Sequence, residues 1–459
     1  MKCHFFHVYL FLFFSISGYS IDSTYTRNCI LKINASQYKN QQARLNYPFF
    51  GTTIQIDDTG NGSVTLSVTK MLFTELKLNE TNVIPLFLTP GDELSLKIEN
   101  NNSFFTGKGC DANNYLRKAY ALLKQLRDSI ASSDDSPEKF LSICNSFESR
   151  FHTFHRRFSD SVSFSKEVAH LLKNEIDALA LNEKQVYLSR FSMNDIDSLK
   201  LESRLGIDDK NLYQDTLLMK TGSSSYKVFL FANLDFEMKK IITPEKIEKG
   251  LYPLLSTTFI QSQRYSASIQ EFLLFTNITV MIQSLGLTPE IDSIARKLSK
   301  EYPSSEYLSH LLKRYKEFEY LLPGKDAPDF TAVALDNKSY SLKDFNGKIV
   351  LIDVWATWCK PCIASFPSVQ NLQEVFKDKP VIFLFISGDR EEEKWKAFLS
   401  NYKDLKGIHF RMYKTPFYDA YKIAGLPRYI LIDQKGKIVN GFATYTSEKL
   451  RNTIDGLLK

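Results

Sequence analysis

The sequence predicts a multidomain chain with an all-β N-terminal region, an all-α middle and a C-terminal α/β domain. Three observations carry this. Between 21 and 111, apolar and polar residues alternate at period two between turn clusters. Between 112 and 322 the apolar period becomes that of an amphipathic helix, and Pro and Gly are sparse. From 323 to 459, short apolar runs alternate with helical stretches. A length of 459 residues also exceeds what one hydrophobic core normally serves.

Composition narrows the class further. Hydrophobic residues make up 43% and charged ones 24%, an ordinary globular balance. With 35 Phe and 23 Tyr, the chain has the material for well-filled cores. The net charge of +6 is small for this length and makes no case for nucleic-acid binding, and no basic-plus-aromatic motif adds one.

Taken in order, residues 1–20 have the layout of a secretory signal. Lys2 and His4 precede an apolar run over 5–16, and small residues Ser17, Gly18 and Ser20 follow. The run is short for a membrane span. Cleavage after Ser20 is expected, with an uncleaved anchor as the alternative. Cys3 precedes the apolar run, which argues against a lipoprotein cysteine. Removal of the signal leaves Cys29, Cys110, Cys144, Cys359 and Cys362. Export permits disulfides. Cys29 and Cys110 bracket the β region and could pair, or be buried free thiols; Cys144 is left over.

Residues 21–111 are expected to form a small antiparallel sandwich or barrel, with strands at 30–33, 53–56, 63–68 and 94–98. Turn clusters at 57–62 and 89–92 separate them. The region has no cluster of catalytic residue types. Residues 112–322 read as a helical domain, with helices at 114–131, 137–158, 165–179, 269–285, 288–302 and 307–322. Pro323-Gly324 marks the boundary with the last domain, 323–459. There, strands are expected at 330–335, 340–342, 350–355, 381–387, 408–413, 429–433 and 438–442. Helices are expected at 361–376, 391–401, 417–424 and 447–458, with Gly425 ending the third of these. The run over 381–387 is almost wholly apolar, as in a parallel strand buried on both faces.

The chemistry lies at 350–367, VLIDVWATWCKPCIASFP. A buried strand leads into a sharp turn carrying Cys359 and Cys362, and then into a helix. Pro361 suits the first helical turn, where a missing N–H costs nothing. Cys359 is thereby placed at the helix N-terminus, where free N–H groups and the macrodipole favour a thiolate. Lys360 adds a nearby cation. Two cysteines three positions apart can close a small disulfide ring. Cys359 would attack a substrate disulfide, and Cys362, the more buried of the two, would then attack Cys359 and release the reduced substrate. Asp353 interrupts the apolar strand. Buried there, its pKa should be raised, and it could take the proton from Cys362; a hydrogen-bonded core carboxylate is the alternative. A CxxC pair can also be half of a zinc site, but that needs a second ligand pair. The sequence has no second CxxC or Cys/His pair, and the nearest downstream histidine is the lone His409. No metal or other cofactor is expected beyond the Cys359–Cys362 pair itself.

Trp358-Cys359-Lys360-Pro361-Cys362 resembles the active site of the thioredoxin superfamily. The stretches at 323–330 (PGKDAPDF) and 342–348 (LKDFNGK) resemble the lead-in of extracytoplasmic thiol–disulfide oxidoreductases of the TlpA/ResA type. The stretch at 425–433 (GLPRYILID) resembles the segment carrying that family's cis-proline. The likeness covers less than a third of the chain. It implies a thioredoxin-like fold for 323–459 and a cis peptide at Pro427, the alternative being an ordinary proline at the start of a strand. It also implies a substrate site walled by Leu426 and Pro427 beside Trp358, Lys360 and Pro361. Residues 87–92 (FLTPGD) and 113–116 (NNYL) more weakly resemble the β domain that precedes thioredoxin modules in many Bacteroidetes proteins.

Two departures stand out. Ser365 occupies a position, three after the second cysteine, where that group often has an acidic residue. Proton handling is therefore expected to rest on Asp353. Arg428, where Thr is common, is expected to alter which substrates are accepted. The resemblance implies an exported thiol–disulfide oxidoreductase of the periplasm or cell envelope, acting on protein thiols and disulfides and kept reduced by a membrane thiol donor. An oxidase or isomerase differs mainly in redox potential. An envelope-binding protein with an accessory redox module is the competing reading from another class.

Overall fold

The computed structural model describes residues 27–46, 51–99, 102–133, 136–207, 212–243, 245–246, 251–402, 405–443 and 447–459. The expected signal at 1–20 lies outside the described residues. The chain forms two compact units. One takes Met1–Ile242 and Phe259–Leu273, the other Thr243–Thr258 and Leu274–Lys459. The units divide within the helical stretch, and Pro323 lies inside the second.

The first unit opens with a β-sandwich. Its strands are β1 (Arg27–Asn34), β2 (Gln42–Asn46), β3 (Gly51–Gln55), β4 (Asn61–Val68), β5 (Leu72–Lys77), β6 (Val83–Leu88), β7 (Glu93–Glu99) and β8 (Asn102–Lys108). They make two four-stranded sheets, ordered β4-β1-β7-β8 and β3-β2-β5-β6. Alternation sends Cys29, Leu31 and Ile33 of β1 and Leu94, Leu96 and Ile98 of β7 into one shared core. The period-two signal found β1, β3, β4 and β7. It missed β6, VIPLFL, because Pro85 interrupts it. Pro85 is tolerated because β6 is an edge strand.

Helix α1 (Cys110–Ala131) closes one edge of each sheet. The Asn113 side chain accepts from Phe87 N at 2.9 Å and donates to Phe87 O at 2.8 Å, on edge strand β6. The next residue, Asn114, makes the same pair of bonds to Phe105 N and O, at 3.0 and 2.8 Å, on edge strand β8. Each amide takes the place of a missing neighbouring strand, which leaves no template for pairing there. Tyr115 and Leu116 then plunge into full burial. The short stretch NNYL is thus the staple of the sandwich. The other marked stretch, FLTPGD, makes the β6–β7 turn: Asp92 takes the Thr89 N–H at 2.8 Å, and Gly91 sits at φ +87°.

Further helices are α2 (Pro137–Ser161), α3 (Lys166–Leu188), α4 (Met193–Ser198), α5 (Leu201–Leu205), α6 (Thr216–Lys220), α7 (Ser224–Ile241), α8 (Tyr252–Ser262), α9 (Ala267–Leu285), α10 (Pro289–Glu301) and α11 (Leu308–Phe318). Ser136, Ser165, Ser223 and Thr288 cap the N-termini of α2, α3, α7 and α10 through their side chains. The buried Glu175 of α3 accepts from Ser223 Oγ at 2.5 Å, which ties α3 to the start of α7. No helix among the described residues is long and apolar enough to cross a membrane. Cys29, Cys110 and Cys144 are unpaired. Cys29 Sγ donates to Thr89 O at 2.9 Å, and burial pushes the Cys144 thiol up to about 12.

The second unit is built on a five-stranded sheet ordered β13-β12-β11-β14-β15. Its strands are β11 (Ile349–Trp355), β12 (Val381–Ser387), β13 (Ile408–Arg411), β14 (Arg428–Ile432) and β15 (Ile438–Ala443), while β9 (Thr331–Val333) and β10 (Ser339–Ser341) form a separate hairpin. The pairs β11–β12 and β12–β13 are parallel; β11–β14 and β14–β15 are antiparallel. All seven residues of β11 are buried. Helices α12 (Lys360–Val375), α13 (Glu392–Asn401), α14 (Pro416–Ala420) and α15 (Ser447–Leu457) complete an α/β domain. Helix α10 and helix α11 precede it in the same unit. Tyr320 Oη donates to Ala420 O at 2.7 Å, and Leu321 enters the core beneath the sheet. Gly286 lies against Phe442, where a Cβ would come within 2.0 Å of the ring.

Several boundaries differ from expectation: α3 runs on to Leu188, α11 ends at Phe318, and α14 is cut short. Helix α14 stops at Ala420, not at Gly425. Ile423 N bonds to Tyr418 O at 2.9 Å and Lys422 N to Asp419 O at 3.3 Å, with Lys422 at φ 51°. That is a Schellman closure with lysine in the left-handed position, so the glycine signal three residues on is not what ends the helix.

Candidate active site

Strand β11 delivers the site. Its alternate residues separate onto two faces: Val350, Ile352 and Val354 pack into one core, Ile349, Leu351 and Trp355 into the other. By this parity Asp353 lies on the second face, with Cys359, Cys362 and helix α12. Thr357 carries the turn between strand and helix. Its N–H and hydroxyl both bond to Asp389, at 3.0 and 2.7 Å, and Asp389 also accepts from Ser387 Oγ at 2.7 Å. Asp389 is buried and pins the loop that presents the cysteines. It was not singled out from the sequence. The signal available was a run of small and polar residues, Ser387-Gly388-Asp389, at the carboxyl end of a buried parallel strand, where sites tend to form.

Cys359 is the N-cap of α12, and the Cys362 N–H points at its sulfur, 3.3 Å away. Pro361 follows in the first turn, as expected. The two sulfurs are joined in a disulfide of 1.97 Å, with Cα atoms 5.3 Å apart. Cys362 is 0% exposed and Cys359 4%. Trp358 is 67% exposed beside them, and Lys360 and Pro361 are exposed too. The Leu426–Pro427 peptide is cis. Leu426 packs against the same apolar cluster as the cysteines, so the loop before β14 and the turn after β11 meet on one side of the sheet.

Asp353 is 2% exposed, and neither carboxyl oxygen has a hydrogen-bond partner. Burial pushes its pKa up to about 8. That value is close to the ordinary thiol range, so the carboxyl and a thiol would hold a proton with similar affinity. Tyr429, directly opposite Asp353 across the β11–β14 pair, completes the cluster with Ser365. Among the described residues no group of three or more His, Cys, Asp or Glu could hold a metal ion.

Arg428 is placed differently from the expectation drawn for it. It alternates with Tyr429, so its side chain leaves the opposite face of the sheet. Its guanidinium donates to Gly441 O at 2.8 Å and Tyr421 O at 3.4 Å and lies over the Phe442 ring. It is a buried clamp between β15 and the end of α14, turned away from the cysteines.

The Redoxin family matches residues 322–458. A thiol–disulfide oxidoreductase ResA of Bacillus cereus is 32% identical over 145 residues, which is 32% of this chain and 82% of that protein. The chain belongs to the ResA-type thiol–disulfide oxidoreductases. A second relative of this ResA-like region, the thioredoxin-like protein YneN of Bacillus subtilis, is 32% identical over 142 residues, 29% of this chain and 78% of its own length. Among solved structures, the thioredoxin domain of a thiol–disulfide oxidoreductase from Bacteroides vulgatus is 33% identical, covering 30% of this chain and 99% of that one, with a TM-score of 0.28. A thiol:disulfide interchange protein from Bacteroides sp. is also 33% identical, covering 30% and 91%, with a TM-score of 0.28. The ResA-type likeness is confined to the C-terminal third, the part that carries the disulfide.

Proposed function

We propose that this chain is an exported reductase of protein disulfides, working in the periplasm or cell envelope. The observation that carries the chemistry is the Cys359–Cys362 disulfide at a helix N-terminus, above a buried and unpartnered Asp353. The N-terminal apolar run supports export. In the reduced protein the Cys359 thiolate attacks one sulfur of a substrate disulfide. That S–S bond breaks, the first substrate sulfur leaves as a thiolate, and a mixed disulfide joins Cys359 to the second. Cys362 then passes its proton to the Asp353 carboxylate and attacks Cys359 Sγ. The second substrate sulfur leaves, and the pair is left as the disulfide of the structure. A membrane thiol donor returns it to the dithiol.

Substrate recognition is assigned to the surface around Cys359. The exposed Trp358 indole, Lys360 and Pro361 form one side, and Leu426 and cis-Pro427 the other. The backbone before Pro427 would pair with an extended substrate segment.

The test is the reduction potential of the Cys359–Cys362 pair, by equilibration with glutathione or dithiothreitol. A value near roughly −270 mV is expected of a reductase fed by a thiol donor. A value near roughly −120 mV would mark an oxidant and reverse the proposed electron flow.

A further inference from the structure

Helix α12 has a weakness just beyond the cysteines. Pro367 lies inside it and has no N–H to give to the carbonyl of Ile363. The turn that carries Cys359 and Cys362 is therefore poorly coupled to the rest of the helix and needs lateral support. Ser365 lies in that turn and is 1% exposed. Its hydroxyl donates to the carbonyl of Cys362. Having spent its one proton there, Ser365 Oγ can only accept from Tyr429 Oη, 2.9 Å away. The hydroxyls thus point in one direction: Tyr429 to Ser365 to the Cys362 backbone.

Tyr429 is set to hold that chain in place. It is 4% exposed, in the apolar cluster that contains both cysteines. It faces Asp353 across the sheet. The pairing of β14 with β15 shifts register between Tyr429 and Leu431, an irregularity of the kind that re-aims a side chain. It also lies two residues after cis-Pro427. Three parts of the site therefore converge on one phenol: the resolving cysteine, the buried carboxyl and the strand that follows the substrate loop.

We propose that Tyr429 and Ser365 are positioning residues that fix the backbone of Cys362 for its attack on the mixed disulfide. Ser365 stands where the resembled group often has an acidic side chain, and with Tyr429 it supplies orientation in place of charge. The inference rests on the assignment of Cys359 as nucleophile and Cys362 as resolver.

The experiment uses the reduced full chain and a bis(nitrobenzoate) disulfide as probe. The Cys359 thiolate displaces a first thionitrobenzoate and keeps the second as a mixed disulfide. Cys362, after giving up its proton, attacks Cys359 Sγ and expels that second thionitrobenzoate. Stopped flow separates the two releases. Tyr429→Phe should slow the second release about fivefold or more, the loss of one buried hydrogen bond, while the first stays within about twofold. Ser365→Ala should behave alike, the double variant should be no slower than the slower single, and Ser365→Thr should restore the rate. A second release unchanged in both single variants, both releases slowed in parallel, or two effects that multiply would overturn the positioning role. A first release that survives Cys359→Ser would overturn the assignment of the nucleophile, and this inference with it.

Discussion

Two regions of this molecule treat buried polar groups in opposite ways. In the sandwich, Asn113 and Asn114 are brought beside edge strands, and each satisfies both backbone groups it meets. Beneath the disulfide, Asp353 is buried with no partner on either oxygen. The first arrangement makes a scaffold, because a satisfied buried amide specifies one geometry and offers no reactivity. The second costs stability and keeps a proton acceptor poised near the range of a thiol. The two amides of the sandwich have complete hydrogen bonds with the strands they meet, and the carboxyl under the disulfide has none.

The largest expected effect tests the costly side of this contrast. The Asp353 pKa rises from 3.8 to about 8 on folding. Its folded value lies above its unfolded one, so its contribution to stability is complete below the ordinary carboxylate range and is lost progressively as pH rises toward 8. Asp353→Asn should therefore stabilise the oxidised second unit by about 2–4 kcal/mol at neutral to mildly alkaline pH, with no gain near pH 4. Unfolding monitored from pH 4 to 9 reads this directly. A variant no more stable than wild type at pH 8 would mean that the carboxyl is solvated after all.

Next in size is the satisfied side. Asn113→Leu keeps the branching at Cγ but strips partners from Phe87 N and O, and should cost about 2 kcal/mol. The measurement is hydrogen exchange at the Phe87 amide together with the denaturant midpoint of the sandwich. Loss of protection should be confined to the first unit, and an unchanged Phe87 amide would break the comparison.

The smallest expected effect belongs to His409, on the outer strand of the redox sheet. Its Nε2 bonds to Leu405 O at 2.9 Å, its Nδ1 has no partner, and the ring stacks on Phe385 at 4.8 Å. Burial lowers its pKa below 6.5. Here the folded value lies below the unfolded one, so the contribution is intact above the unfolded value and lost as pH falls beneath it. His409→Gln should flatten that decline. An identical pH slope in the variant would show that the ring titrates freely.

Much of this was legible in the sequence, for reasons that differ by residue. The strand at 350–355, the helix opened by Pro361 and the CxxC pair are local patterns, and each is present. The paired apolar strands β11 and β12 follow from unbroken runs. The strands β2, β5, β6 and β8 were missed because their patterns are short, doubly apolar or interrupted by Pro85. Tyr429 and Ser365 lie 64 positions apart, and their meeting depends on the β11–β14 register, which no local pattern encodes. Arg428 was tied to substrate choice because Thr is common at its position in the resembled family, but one step along the strand from Tyr429 puts it on the opposite face. Asn113 and Asn114 were noticed as a motif without a role, because edge closure is visible only once both sheets exist.

The claim on which the account turns is that Asp353 takes the proton of Cys362. The direct test is the pH profile of the second thionitrobenzoate release in wild type and Asp353→Asn. Wild type should show an inflection near pH 8 that is absent from the variant, whose rate should be about tenfold or more lower at pH 7. A variant that keeps both the inflection and the rate would contradict it, and would assign the buried carboxyl to the core alone.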